Sequence, residues 1–296
     1  MSASLDARAR DPEESARLAC LIAASRFVLR TVASRRHTGG GDSIDAVIVA
    51  AVVQANVRRA LGTGAYDTFD EPVPADLREP ASVPMLAERT GLPRETVRRR
   101  LEALVARERC VRSYGGYVVP VELMSGPTRR ALAIEAYEAL RRLTADVQRS
   151  GLDVGASSVV EAILRPIDPA SPVRVVNRAT AAFAIDFLRE VSRLTGSHEA
   201  ALIYLALLEA VKSDGTPRRL TFLGLAQSME RPIESTRRRA MVLVERGLAE
   251  RDEEGFKVRR DFATSADVRY LVAYSADLLR TMYAGIATAS GAVDKL

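Results

Sequence analysis

The sequence LAERTGLPRETVRRR occupies residues 86–100, and a close counterpart, LAQSMERPIESTRRR, occupies residues 225–239. The two stretches lie 139 positions apart (86 to 225). The same offset, without a gap, aligns Leu104 with Leu243, Gly116 with Gly255 and Leu140 with Leu279. Solenoid repeats have much shorter periods, of about 20–50 residues. The match therefore predicts a domain-sized unit that occurs twice through internal duplication.

Each copy of this stretch has the pattern of a helix-turn-helix. In the first copy, Gly91 permits a tight turn, and Pro93 suits the beginning of the next helix, where a missing N–H costs little. At about 100° per residue, the core face consists of Val97, Leu101, Leu104 and Val105, and Arg99 lies on the opposite face. We therefore expect two short helices, the second with an apolar inner face and a basic outer face.

A β-hairpin is predicted after each motif, and helices flank both. In the first copy, Gly115 and Gly116 mark the turn within residues 110–118. Apolar periodicity predicts two helices before each motif and one long helix after each hairpin. The expected fold is mainly α with small β-hairpin wings, in the order helix, helix, short helix, recognition helix, hairpin and long helix.

This order resembles the MarR-type winged helix regulators, and residues 86–98 are similar to GntR-type and IclR-type motifs. The resemblance covers most of each copy and implies two fused members of the winged helix-turn-helix superfamily. It implies double-stranded DNA as the partner, because the second helix of such a motif enters the major groove. It also implies self-association through the outer helices, here within one chain as a pseudo-dimer.

The repeat also predicts the domain boundaries. We expect the first winged helix domain with its flanking helices over residues 12–149 and the second over residues 177–290. Residues 150–176 are predicted to be a linker that contains Pro166, Pro169 and Pro172 and a candidate short helix at residues 158–164. The longer segment of the first copy within residues 61–82 is rich in Gly, Pro and acidic residues and is predicted to be a loop.

Four residues of the first recognition helix are the main DNA-binding candidates. We expect Thr96 and Arg99 to reach the groove floor, and Arg94 and Arg98 to contact phosphates or the groove edge. The GntR-type resemblance agrees for Arg94 and Arg98, since such motifs carry arginines at the matching positions. Alternatively, residues 98–100 form a solvated helix face that is ion-paired with neighbouring glutamates such as Glu95.

The second copy has a weaker motif. Ser235 and Arg238 are predicted to point outward with Arg237 beside them, and we expect all three to contact DNA if this copy binds it. However, Glu230 replaces the turn glycine and Thr236 replaces the core valine. The pattern therefore predicts that the first copy is the main DNA reader.

The two wings also differ. In the first, Arg112 and Tyr114 flank a glycine turn and are predicted to lie along a phosphate backbone or a minor groove. In the second, residues 252–254 are Asp-Glu-Glu, three like charges that phosphates repel. The second wing is therefore expected to stay off the duplex or to meet a protein.

Composition excludes several classes of protein. The net charge of +5 favours an anionic partner, and no apolar run reaches the length of a membrane span. The polar start predicts a cytoplasmic protein.

The sequence also lacks the common signatures of catalytic and metal sites. His37 and His198 are the only histidines, and neither has metal-ligand spacing. Cys20 and Cys110 match no redox motif. No Gly-x-Ser-x-Gly occurs, so we expect no catalytic residues, metal or cofactor.

Together these patterns favour a bacterial-type, sequence-specific DNA-binding transcriptional regulator. One alternative is a plasmid or phage replication initiator, a class that also uses paired winged helix domains. Another is a winged helix scaffold for protein interactions in chromosome organisation, which the acidic second wing favours for the second copy only. Related regulators hold effectors in apolar clefts between their helices, but no sequence feature here identifies a small-molecule effector.

Overall fold

The structure is a computed structural model that describes residues 12–39, 42–60, 66, 72–167, 171, 173–212 and 215–290. The first half contains α1 (Pro12–Gly39), α2 (Ser43–Asn56), α3 (Val83–Thr90), α4 (Arg94–Ala106), β1 (Val111–Ser113), β2 (Gly116–Val118) and α5 (Pro127–Ser150). After α6 (Ser157–Leu164), the second half contains α7 (Val173–Thr195), α8 (His198–Glu209), α9 (Phe222–Met229), α10 (Ile233–Glu245), β3 (Ala249–Arg251), β4 (Phe256–Val258) and α11 (Ala266–Ser290).

The fold is mainly helical with two small antiparallel hairpins, which confirms the predicted class. The order of elements in the first half recurs in the second. The segment 150–176, expected to be a linker, contains α6 at the position of the candidate short helix, and it also contains the beginning of α7. Of the loop expected within residues 61–82, positions 61–65 and 67–71 lie outside the described residues, and a 3₁₀ turn spans Ala75–Leu77.

The two hairpins have the same register. In the first, Arg112 pairs with Tyr117, and Tyr117 also forms an isolated β-bridge with Ala81 in the segment before α3. The equivalent pairs in the second are Arg251 with Phe256 and Phe256 with Leu220. A Cβ atom on Gly116 would collide with the carbonyl of Ala81, and one on Gly255 would collide with that of Leu220. The 139-residue offset therefore aligns backbone geometry as well as sequence.

The first helix of each half packs into the other half. Helix α1 lies against α5 of its own half and against α8 and α11 of the second half. Helix α7 lies against α8 and α11, and also against α2, α3 and α5 of the first half. Phe27 and Phe183 meet between α1 and α7 with their ring centroids 5.7 Å apart. One hydrophobic core therefore runs through both halves.

Ion pairs at the turns of the two helix-turn-helix motifs join the halves further. Gly91 ends α3 with a left-handed φ of 72°, and Glu230 occupies the matching position after α9 with a φ of 48°. The buried Arg36 of α1 forms an ion pair with Glu230 and donates to the carbonyl of Met229 at 3.0 Å. This contact between the halves stabilises Glu230 in a left-handed backbone conformation that glycine adopts more readily.

Asn56, the last residue of α2, joins three segments of the first half. Its buried amide nitrogen donates to the carbonyl oxygens of Glu79 at 2.7 Å and Tyr117 at 3.1 Å. Its side-chain oxygen accepts from the backbone N–H of Val119 at 2.9 Å. The amide thereby supplies partners for the carbonyl of Glu79 and the N–H of Val119, whereas the carbonyl of Tyr117 also accepts from the backbone N–H of Ala81 at 2.8 Å.

We predict that Asn56→Ala lowers the free energy of unfolding by about 2–3 kcal/mol, because it leaves buried backbone groups without partners. Urea unfolding followed by circular dichroism measures the change. Gln148→Ala, a substitution at an exposed position of α5, is the control and should have little effect. A loss no greater than that of the control would show that the amide does not hold the wing to α2.

His198 begins α8 beside the backbone of Thr90, at the end of α3. Its side chain is buried, and its Nε2 atom has no hydrogen-bond partner among the described residues. Burial lowers the pKa of His198 from its ordinary value to about 4. The folded protein therefore keeps this imidazole neutral at pH values where the unfolded chain protonates it.

Because the folded pKa is depressed, stability should fall as the pH falls from about 6.5 to about 4, by at most about 3 kcal/mol from this group. Urea unfolding at several pH values in this window should give a steeper acid loss for the natural protein than for His198→Gln. Equal pH slopes for the two proteins would contradict the predicted burial of neutral His198.

Candidate nucleic-acid interface

The first helix-turn-helix presents a basic outer face on α4. Ser82 caps α3 by accepting from the backbone N–H of Met85 at 3.4 Å, and Gly91 provides the turn. Val97, Leu101 and Leu104 are buried on the inner face of α4, as their spacing predicted, whereas Val105, expected beside them, is only half-buried. Consequently the opposite face of α4, which carries the arginine candidates, is turned to solvent.

The arginines on this face differ in how they are paired. Arg94 and Arg99 are exposed, and their side chains form no hydrogen bond or ion pair with any residue that the structure describes. Arg98 is exposed but donates to both carboxylate oxygens of Glu95, at 2.6 and 2.9 Å. Thr96 is half-buried beside them. The ion-paired alternative therefore describes Arg98, whereas Arg94 and Arg99 are available to phosphates or guanine edges.

The carboxylate of Glu102 joins the β1–β2 hairpin to α4. Arg112 forms an ion pair with Glu102 of α4, and the hydroxyl of Tyr117 donates to the same carboxylate at 2.8 Å. The hydrogen bonds from Arg112 and Tyr117 hold the pKa of Glu102 below its usual value. Tyr114, at the tip of the hairpin, is fully exposed. We call the group Arg94, Thr96, Arg98, Arg99, Arg112 and Tyr114 the first arginine surface.

The inner side of α4 is anchored by Asp45 of α2. This carboxylate is fully buried and lies 3.2 Å from both Arg100 and Arg107. Burial raises the pKa of Asp45, against the opposing effect of the two guanidinium groups. Arg100 is therefore turned inward, away from the first arginine surface.

Asp42, the N-cap of α2, connects the two motifs. Its carboxylate lies 3.4 Å from Arg100 of α4 and 3.2 Å from Arg231, in the turn between α9 and α10. The same acid therefore contacts both α4 and the turn between α9 and α10. This fixes the placement of one motif relative to the other.

The second motif exposes fewer unpaired cations. Ser235 is half-buried, Arg237 lies 3.7 Å from Glu234, and Arg238 is exposed without a partner among the described residues. Ile233 stands where the first copy has Arg94, and 48% of its surface is exposed. We call Ser235, Arg237 and Arg238 the second arginine surface.

The wing beside the second arginine surface is acidic. Arg219 donates to Asp252 at 2.8 Å and forms an ion pair with Glu254, which leaves Glu253 exposed without a partner among the described residues. In addition, 53% of the surface of Leu223, on α9, is exposed. The second motif therefore presents acidic and apolar groups beside its arginines.

Residues that the sequence reasoning missed hold the candidate surface in place. Asp45 and Asn56 belong to α2 and Asp42 is its N-cap, and the apolar pattern of this helix indicated none of their contacts. Asp45 could have been recognised because it is a charged residue in an apolar helical segment, and a buried charge requires a partner. Its partners, Arg100 and Arg107, lie more than fifty positions further along the chain.

Other functional chemistry is sparse in the described part of the chain. No group of three or more His, Cys, Asp or Glu residues is arranged there to hold a metal ion. No helix there has both the length and the apolar character needed to cross a membrane. Cys20 and Cys110 are buried free thiols, and burial raises the pKa of Cys110 to about 11. The side chain of His37 lies outside the described residues.

Comparisons with known protein families, with curated proteins and with solved structures found no match for the chain. The functional assignment therefore depends on the chemistry and geometry of the residues themselves. The exposed, unpaired arginines of the first motif are the strongest evidence of this kind.

We predict that Asp45→Ala lowers the free energy of unfolding by about 2–3 kcal/mol, because Arg100 and Arg107 lose a charged hydrogen-bond acceptor. Urea unfolding at neutral pH measures the change. Asp76→Ala, at an exposed position before α3, is the matched control and should change the stability little. The proposed anchoring of α4 would be wrong if the two variants were equally stable.

Proposed function

We propose that this protein is a sequence-specific DNA-binding transcriptional regulator with two winged helix-turn-helix units that arose by internal duplication. The first unit is its main DNA reader. Double-stranded DNA is the partner, and the chain acts as a pseudo-dimer in which both units belong to one polypeptide.

One observation carries the proposal. Arg94 and Arg99 are exposed and unpaired among the described residues, on the outer face of a helix that follows a tight turn. Guanidinium groups that form no ion pair with a carboxylate can bind phosphates and base edges. Their position on this outer face is therefore suited to a helix that enters the major groove. The fully exposed Tyr114 extends from the adjacent wing and lies within reach of a backbone or groove.

The interlocked halves support the pseudo-dimer. Winged helix regulators bind two half-sites with two units whose spacing is set by their dimer interface. Here α1 and α7 are shared between the halves, and Asp42 contacts both motifs. The chain therefore holds two recognition helices at a fixed separation without a second copy.

A second candidate function concerns the second unit alone. Its motif exposes Leu223 and Ile233, and its wing tip carries Glu253 between two acids that are paired with Arg219. Exposed apolar groups beside acidic ones favour a protein partner over a phosphate backbone. The second unit would then act as a protein-docking module while the first binds DNA.

The proposal is tested by selecting duplexes from a random pool with the full chain and measuring binding by fluorescence anisotropy. We expect recovery of a defined sequence whose affinity falls steeply as the salt concentration rises, because phosphate contacts release counterions. If no sequence is enriched and random duplex shows no salt-sensitive binding, the proposal fails.

We predict that Arg99→Ala weakens binding to the selected duplex by about 1–3 kcal/mol, because a bidentate contact to a base edge is lost. Arg238→Ala is the matched variant, since the 139-residue offset places it at the same position of the second motif. It should weaken binding less than Arg99→Ala does. Titrations of both variants at one fixed salt concentration measure the difference, and equal losses would contradict a main reader in the first unit.

A further inference from the structure

The recognition helices α4 and α10 are equivalent in length, in their N-terminal turn and in burial. Each spans 13 residues and follows a proline N-cap with a φ of −55°. Residues 94–100 and 233–239 have the same order of exposed, half-buried and buried positions. The 139-residue offset therefore compares side chains that occupy the same places on two equivalent helices.

The outer faces of the two helices share most of their polar groups. In both, a glutamate at the second position of the helix lies beside the arginine three positions later, at 2.6 Å in α4 and 3.7 Å in α10. These pairs are Glu95 with Arg98 and Glu234 with Arg237. The next residue, Arg99 or Arg238, is exposed and has no partner among the described residues. Helix α10 therefore keeps the pattern of the face that is proposed to read DNA in α4.

The two faces differ at the first position of the helix. Arg94 is exposed there in α4, whereas 48% of the surface of Ile233 is exposed in α10. A guanidinium group can donate to a phosphate or to guanine, and an isoleucine side chain can do neither. The apolar group that a major groove offers is the C5-methyl group of thymine. Ile233 therefore favours a thymine at a place where Arg94 requires none.

The wings differ in charge in the same direction. Residues 111–118 contain one arginine and no acidic residue, whereas the matching residues 250–257 contain four acidic and two basic residues. Tyr114 at the tip of the first wing corresponds to Glu253 at the tip of the second, and both are exposed. Because phosphates repel carboxylates, only the first wing is suited to DNA that flanks its half-site.

The shared core fixes which recognition helix lies on which side. Asp42 contacts both α4 and the turn before α10, and Phe27 packs on Phe183 between the halves. A homodimer places identical residues on its two half-sites, so its site is a palindrome. This chain instead places two different faces at one fixed separation.

We propose that the chain binds a non-palindromic duplex site in a single orientation. A thymine in the half-site of α10 packs its C5-methyl group on Ile233, and the half-site of α4 needs no thymine at the matching place. Flanking DNA is contacted beyond the half-site of α4 only. This inference rests on the proposed function, because it requires that the chain bind double-stranded DNA.

The test selects duplexes from a random pool, long enough for two half-sites, with the full-length natural protein, with Ile233→Arg and with Ile134→Arg. The natural protein should enrich two unequal half-sites. Ile233→Arg introduces the residue type of position 94 and should remove the preference for thymine without changing the other half-site. Ile134→Arg is the matched control, since it adds the same charge at an exposed position of α5 outside both motifs. It should enrich the natural sequence.

The outcomes separate this inference from the proposal of DNA binding. A palindrome or a single half-site would overturn the inference and leave DNA binding intact, whereas no enriched sequence would refute both. If Ile233→Arg enriched the natural sequence, Ile233 would not face DNA, and its exposed surface would be left to a protein partner. Hydroxyl-radical cleavage of the selected duplex should show protection that extends further beyond the half-site of α4, and equal extension on both sides would contradict the assigned wings.

Replacing the selected thymine by deoxyuridine removes only its C5-methyl group. In anisotropy titrations the natural protein and Ile134→Arg should bind the deoxyuridine duplex about fourfold more weakly, which is the worth of one buried methyl group. Ile233→Arg should bind the two duplexes equally. If the natural protein also bound them equally, the contact between Ile233 and the methyl group would be refuted.

Discussion

The exchange of the first helices between the two halves is the constraint on which the rest of the structure depends. Helix α1 covers apolar surface of α8 and α11, and α7 covers apolar surface of α2 and α5. Neither half can bury its core without the other, and the contact of Phe27 with Phe183 lies at the centre of this arrangement. Because the helix-turn-helix motifs pack on α2 and α8, their positions follow from the shared core.

The charged residues show how one scaffold can serve two different surfaces. Arginines turned inward have a structural role, as in the pairing of Arg100 with Asp45 and of Arg36 with Glu230. Arginines turned outward on α4 are partly unpaired, whereas the second motif places Ile233 and an acidic wing at the equivalent surface. Similar backbones therefore carry different charge patterns, so similarity of fold between the halves does not imply equal function.

Much of the local structure could be predicted because it depends on short-range patterns. Val97, Leu101 and Leu104 recur at helical spacing and are buried, and the glycine turn of the first wing forms a hairpin as expected. Individual ion pairs could not be predicted, since Arg98, Arg99 and Arg100 are identical in type. Arg98 is paired with Glu95. Arg99 forms no hydrogen bond or ion pair with a described residue, and Arg100 is turned toward the buried carboxylate of Asp45. Only the neighbours that folding brings near separate these three roles.

The sequence by itself determined the repeat, the helical class, the two hairpins and the candidate arginines of the first motif, because periodicity and turn residues act over a few positions of chain. The tertiary structure alone decided that α1 and α7 exchange partners and that Asp42 contacts both motifs. Some residues of these contacts, such as those that join α1 to α11, are separated by more than two hundred positions along the chain, so no local pattern records them. Their proximity results from the burial of one core shared by both halves.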